Sequence, residues 1–145
     1  MKDCVFCKIV KGQISAQIVY EDKLALAIMD IGQVNPGHTL VISKQHVETM
    51  MDTNEDLAGH LFRVANRVAK AIEMAFSPDG MTILQANKPA GFQTVSHLHL
   101  HVLPRHKDDG VDLVWPVKNP ALNLLAEYAA KLRKNLLQGS TSVNP

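Results

Sequence analysis

The chain has only two cysteines in 145 residues, and Cys4 and Cys7 stand too close together to build a disulfide scaffold. It has no apolar run long enough to cross a bilayer. Its opening, Met1-Lys2-Asp3-Cys4, lacks the charged-then-apolar layout of a signal peptide. It has no excess of charge either. A formal net charge of +1 gives no case for nonspecific binding to nucleic acid or to an anionic membrane, so any phosphate must be held by local groups. There is no internal repeat and no linker. These absences predict a cytoplasmic protein without nucleic-acid or membrane partners. They also predict one domain over residues 1–138, with a flexible tail at 139–145. A content of 46% hydrophobic and 20% charged residues suits a single ordinary core.

What is present alternates between short strand patterns and two helical ones. Residues 18–22 and 24–30 read as strands joined by a charged turn. Asn35-Pro36-Gly37 is a turn signal, and 38–44 alternates as a third strand. Leu57, Leu61, Val64, Val68 and Ile72 recur at helical spacing, with Thr53 as the expected cap and Asp56 closing a capping box. Ser77-Pro78-Asp79-Gly80 ends that helix. Residues 81–85 read as a strand, and a loop over 87–93 leads into another at 97–103. Asn119-Pro120 predicts the start of a second helix, whose buried side would comprise Leu122, Leu125, Tyr128 and Ala129, continued by Leu132 and Leu136. The pattern predicts an α+β domain on an antiparallel sheet of about five strands, with one long helix and a C-terminal helix.

The run His97-Leu98-His99-Leu100-His101-Val102 is the chain's most informative stretch. Alternate side chains of a strand point to opposite faces, so three of the seven histidines would share one face and the leucines and valine the other. Imidazoles cost free energy on a buried face unless each is hydrogen-bonded. Solvent-facing strand positions favour Thr, Lys, Glu or Arg. A polar outer face and a metal-binding row are the other readings, but the row points to chemistry. A neutral imidazole can attack a phosphorus centre without the repulsion met by an anion. It splits one hard displacement into two easier ones through a phospho-imidazole.

Cys4-x-x-Cys7 supplies two thiolates at metal-ligand spacing, too few for tetrahedral zinc on their own. Free thiols packed as small hydrophobes are one alternative. A redox pair is another, although such a pair would normally open a helix after a strand.

The pattern His-φ-His-φ-His-φ-φ, with φ apolar, resembles the signature of the histidine triad (HIT) superfamily of nucleotide-binding hydrolases and transferases. Cys4 to Val10, Tyr20-Glu21-Asp22, Met29-Asp30-Ile31, Pro36 to Val41 and Lys44 to Val47 look like successive blocks of that family in its order. So do Leu84 to Asn87 and Gly91 to Thr94. The match runs from Cys4 to about Arg105 and is most similar to the Hint-like and bacterial branches. The resemblance implies a HIT-like fold, a homodimer and a purine nucleotide substrate. It implies that His99 is the nucleophile, that His101 binds and polarises the phosphate oxygens, that His38 completes a hydrogen-bond relay, and that Thr94 orients or protonates the leaving group. Asp30 would take the ribose hydroxyls beside Ile31. Asn87 would reach a phosphate or ribose oxygen, and Gly91, Gln93 and Thr94 would form a phosphate cradle. It further implies a structural zinc held by Cys4, Cys7, His46 and His97.

Three positions depart from the family pattern. Phe92 stands where relatives commonly have glycine, Ser96 replaces an aromatic residue, and Lys88-Pro89 replaces a glycine-rich step. The expected activity is hydrolysis at the α-phosphate of purine nucleoside phosphoramidates or related nucleotides, through a nucleotidyl-histidine intermediate. A dinucleoside polyphosphate hydrolase would use the same nucleophile with another leaving-group pocket. A nucleotide-binding regulator with incidental turnover is the alternative of a different class.

Overall fold

A computed structural model of the chain describes residues 4–114 and 116–139. By their contacts these fall into two compact units, one running to Val111 and one beginning at Asp112. The first unit contains a short helix α1 (Val5–Val10), strands β1 (Ile18–Glu21), β2 (Ala25–Met29) and β3 (Thr39–Ser43), the long helix α2 (Glu55–Phe76), and strands β4 (Gly80–Leu84) and β5 (His99–Arg105). The five strands form one sheet in the order β1-β2-β3-β5-β4, with every neighbouring pair antiparallel. The second unit carries helix α3 (Leu122–Gly139). No helix among the described residues is long and apolar enough to cross a membrane.

The α2 periodicity works as expected. Leu57, Leu61, Val64, Ala65, Val68 and Ile72 pack on Ala25, Ala27, Val41, Leu100 and Val102, so α2 covers one face of the sheet. Each of the larger side chains contributes about 1.5–3 kcal/mol by leaving water. The alternate residues Leu26, Ile28, Leu40 and Ile42 form a second cluster on the opposite face, under Phe6 of α1. The histidines of β5 belong to that second face.

Several sequence expectations need correction. Asn54, not Thr53, caps α2, its side chain accepting from the Leu57 N–H at 2.9 Å. Thr53 instead ends a 3-10 turn over Met50–Asp52, whose own capping box joins Thr49 and Asp52. β5 begins at His99, so His97 sits in the bend before the strand and the three histidines do not share one strand. The strand runs on through Pro104, which is possible because the last β3 pair is Thr39 with Val102. Beyond that point the Asn35 side chain donates to the Pro104 carbonyl at 2.9 Å.

The α3 helix starts at Leu122, later than Asn119-Pro120 suggested. Its expected buried side is largely exposed: Leu122, Leu125, Tyr128, Leu132 and Leu136 are all solvent-facing, while Ala129 is half-buried. Helical spacing identifies an apolar stripe but not what covers it. Trp115 and residues 140–145 of the expected tail lie outside the described residues, whereas Gly139 is the last residue of α3.

Candidate active site

The β3–β5 register pairs Ile42 with His99 and Leu40 with His101, which sets both imidazoles on the face away from α2. His99 is buried and meets the edge of the Phe6 ring, with centroids 5.0 Å apart. Its Nδ1 lies 2.6 Å from the backbone carbonyl of His97. A carbonyl only accepts, so Nδ1 carries the proton and Nε2 keeps a free lone pair. Burial lowers the pKa of this ring, with the His97 carbonyl and Asp30 acting the other way, and the ring is therefore neutral at pH 7.

His101 Nδ1 is 2.9 Å from His38 Nε2, and Asp30 Oδ2 is 3.4 Å from the same His38 nitrogen. Burial, then the neighbouring His99 and His38, pushes the His101 pKa down to about 4. Burial likewise lowers that of His38, opposed by Asp30 and by a backbone hydrogen bond at Gly32. Asp30 and His38 close a loop braced by one side chain. Gln33 Nε2 donates to the carbonyls of Asp30 (2.6 Å) and His38 (2.7 Å), and Gln33 Oε1 accepts from the Gly37 and His38 N–H groups at 2.9 and 3.1 Å. Gly37 has φ +102, and a Cβ there would lie 2.9 Å from the Phe76 ring, so this turn has room only for glycine.

A cavity of about 630 Å³ opens over Asp30, His99 and His101. Phe6, Ile9, Ile14, Ala16, Ile28 and Leu40 give it apolar walls, while Asp30, Thr94, His99 and His101 line its polar end together with Ile31. Asn87, Gly91 and Gln93 do not line it. The Asn87 Oδ1 accepts from the Met50 N–H at 2.7 Å. Gln93 Oε1 accepts from the Lys88 N–H and its Nε2 donates to the Glu48 carbonyl, at 2.6 and 2.7 Å. Gly91 belongs to a 3-10 turn where a Cβ would meet nothing within 4 Å. These three side chains or positions shape the loop rather than the cavity wall. Phe92 occupies the left-handed region, with φ +66, and its ring is exposed. A glycine would take that backbone conformation without strain.

Cys4, Cys7, His46 and His97 converge in a second cluster. The separations are 3.3 Å from Cys4 Sγ to His97 Nδ1, 3.2 Å from Cys7 Sγ to His46 Nδ1 and 3.2 Å between the two Nδ1 atoms. His97 Nε2 faces the Ser43 carbonyl at 2.7 Å, so it holds the ring proton and Nδ1 turns its lone pair to the sulfurs. Two sulfurs and two imidazole nitrogens, all within 4.8 Å of one another, are a donor set that fits tetrahedral zinc. The backbone hydrogen bond on the far nitrogen of His97 is the usual support for a ligating histidine.

Sequence reasoning missed α1 and with it Phe6, whose ring meets that of His99 edge-on. Its apolar pattern of Val5, Phe6, Ile9 and Val10 was available, but six residues are too few to stand out as a helix. It also missed Gln33, a lone amide in a turn-rich loop, and the Ser43 carbonyl, which no side-chain pattern can reveal.

A family model described as the HIT domain matches residues 11–108. Protein hit of Bacillus subtilis is 43% identical over 115 residues, which are 79% of this chain and 79% of that protein. Adenosine 5'-monophosphoramidase hnt1 of Schizosaccharomyces pombe is 35% identical over 114 residues, 78% of this chain and 83% of that one. Among solved structures, a HIT family protein from Bacillus anthracis has a TM-score of 0.88 at 38% identity, covering 92% of this chain and 96% of its own. A Zn-bound histidine triad family protein from Mycobacterium smegmatis has a TM-score of 0.73 at 36% identity, covering 92% and 98%. The chain belongs to the HIT family.

Proposed function

We propose that this protein hydrolyses purine nucleoside phosphoramidates, or closely related nucleotides, at the α-phosphate through a nucleotidyl-His99 intermediate. The observation that carries this reading is the 2.6 Å bond from His99 Nδ1 to the His97 carbonyl, which aims an unprotonated Nε2 at a nucleotide-sized cavity. In the first step Nε2 attacks phosphorus and the P–N bond breaks, the leaving amine taking a proton from solvent as it departs. Thr94, at the polar end of the cavity, orients that group. In the second step water attacks phosphorus and releases its proton to solvent, and the imidazole leaves as a neutral ring. His101 donates to the phosphoryl oxygens, with its other nitrogen held by His38. Asp30 accepts from the ribose diol, and the apolar walls receive the base. A family relative that is an adenosine 5'-monophosphoramidase supports the substrate class.

Cys4, Cys7, His46 and His97 hold a structural zinc in this reading. The protein acts in the cytoplasm as a homodimer. β4 is an edge strand with Ile83 and Leu84 exposed, and its outer backbone groups are available to a second copy. The decisive experiment is turnover of a panel of nucleoside phosphoramidates and dinucleoside polyphosphates, with mass spectrometry of an acid-labile adduct. Adenosine phosphoramidate should be cleaved, and His99→Ala should lose more than about 10³-fold in kcat, as removal of a covalent nucleophile does. Binding of AMP without turnover of any compound would make this a nucleotide-binding module instead.

A further inference from the structure

Asp30, His38 and His101 bring three metal-binding atoms together at a place where there is no thiol. His38 Nε2 and His101 Nδ1 are 2.9 Å apart, and Asp30 Oδ2 is 3.4 Å from the first and 3.9 Å from the second. A triangle with those sides has a point about 2.0 Å from all three corners, the bond length of imidazole and carboxylate ligands to a zinc-like ion. Hydrogen bonding does not require this arrangement. One shared proton satisfies the two imidazoles, and Oδ2 is left beyond the usual 2.7–3.2 Å from either nitrogen.

The far side of each ligand is held as metal ligands generally are. Asp30 Oδ1 accepts from the Gly32 N–H at 2.8 Å, which leaves Oδ2 turned to the histidines. His38 makes a backbone hydrogen bond at Gly32 that favours its protonated ring, the mark of a carbonyl acceptor. The Val34 N–H donates to His38 Nδ1 at 3.4 Å, so the ring's far edge is against backbone and Nε2 is the nitrogen turned to the cluster. The His38 side chain is 4% exposed, but those of Asp30 and His101 are 19% and 26% exposed, and both line the cavity. An ion could enter from that side and complete its coordination with water.

We propose that Asp30, His38 and His101 form a second divalent transition-metal site, separate from the Cys4–Cys7–His46–His97 cluster. Two imidazoles and one carboxylate favour zinc, cobalt, nickel or copper over magnesium or calcium, which prefer all-oxygen ligands. In taking the ion, His38 moves its ring proton from Nε2 to Nδ1, and His101 keeps its own on Nε2. The bound ion withdraws Asp30 Oδ2 and His101 Nδ1 from nucleotide handling, so it acts as an inhibitor. That consequence rests on the proposed function, but the binding of the ion does not.

The test is equilibrium dialysis of purified protein against cobalt(II), with metals counted by elemental analysis. Wild-type protein should bind one ion per chain more than Asp30→Asn or Asp30→Ala, and the affinity of that ion should fall by more than about tenfold in the variants. The sulfur-to-cobalt charge-transfer band of the cysteine cluster, read after metal exchange, should be unchanged in both variants and so reports that they are folded. A double Cys4→Ser, Cys7→Ser variant should lose the band and keep the Asp30-dependent ion. Equal ion counts in wild type and the Asp30 variants would overturn the site. A difference of one ion in a protein that cleaves no nucleotide would uphold the site and remove the hydrolase reading. Turnover with no such difference would do the reverse.

Discussion

The His97 backbone carbonyl accepts the Nδ1 proton of His99 at 2.6 Å, while the ring of the same His97 lies 3.3 Å from Cys4 Sγ. One residue therefore serves the candidate nucleophile with its main chain and the thiol cluster with its side chain. His97 is not part of β5, so no sheet hydrogen-bond ladder fixes it there. Its position rests on the cluster, on the Ser43 carbonyl and on the edge of the Phe6 ring, with centroids 5.7 Å apart, together with backbone bonds from its own N–H to Val95 at 2.8 Å and from the Leu98 N–H to Val47 at 2.7 Å. A fastening of the His97 ring is thus also a fastening of the His99 tautomer.

Metal removal should act on both stability and turnover. Purified protein is expected to carry one zinc per chain in the Cys4–Cys7–His46–His97 cluster. An ion present at a thousand times its Kd stabilises the folded state by about 4 kcal/mol. Chelation, or the double change Cys4→Ser and Cys7→Ser, should lower the denaturation midpoint accordingly. It should also reduce kcat, because the carbonyl that orients His99 is then less firmly held. Elemental analysis alongside a denaturant titration reads both effects. Full zinc retention in a variant that adds Asp30→Asn to the two cysteine changes would sink the assignment.

The histidines also predict a direction of pH dependence. The folded state lowers the pKa of His99 by burial and that of His101 to about 4, against about 6.5 in an unfolded chain. The unfolded chain therefore binds protons first as the pH falls. The stability these groups contribute is complete above about pH 6.5 and is lost progressively toward pH 4. Turnover should follow the same direction, since a protonated His99 has no lone pair to offer. The acid limb of kcat/KM is expected below pH 6.5. A limb above that pH would contradict a buried, neutral nucleophile.

How far the sequence carries depends on whether a feature repeats. Helix α2 was legible because Leu57 through Ile72 repeat the same spacing over many turns. The strand faces were legible from alternation, and the β3–β5 register then brings His38, His99 and His101 together. Features set by one contact were not legible. His97 leaves the strand because its ring turns to Cys4 and Cys7, which lie 93 and 90 residues away in sequence. Asn54 displaces Thr53 as cap because Thr53 is already the end of another turn. Asn87 and Gln93 carry amides suited to a phosphate, and in the structure Asn87 bonds the backbone of Met50 while Gln93 bonds that of Glu48 and Lys88. Composition cannot show which partner a side chain takes.

Gly37 and Phe76 should show a coupled response to substitution. Gly37→Ala puts a methyl group 2.9 Å from two Phe76 ring carbons in a backbone conformation with φ +102. The expected loss is about 2–4 kcal/mol, combining overpacking with backbone strain. Adding Phe76→Leu should recover the steric part and leave the strain. The double variant should therefore be more stable than the sum of the two single losses indicates, by about 1 kcal/mol. Strict additivity in denaturant titrations would show that the ring moves aside without cost.

Gln33 should behave as a positioning residue, although it touches neither His99 nor His101 in the described hydrogen bonds. Its amide spans the loop from Asp30 to His38, and the Gly37 N–H it satisfies belongs to a buried residue. Gln33→Ala leaves that donor without its partner and frees both ends of the loop, at a cost of about 1–3 kcal/mol. Gln33→Glu keeps the acceptor but places carboxylate charge against the carbonyls of Asp30 and His38, so it should be at least as destabilising. Because Asp30 faces the proposed ribose site and His38 holds His101, both KM and kcat should suffer in proportion to the loosened loop. The His99→Ala variant, by contrast, should lose kcat while still binding AMP. Calorimetry of AMP binding separates the two: weakened binding in Gln33→Ala with near-normal binding in His99→Ala is the expected result. Unchanged AMP affinity in Gln33→Ala would show that the loop holds its shape without the amide.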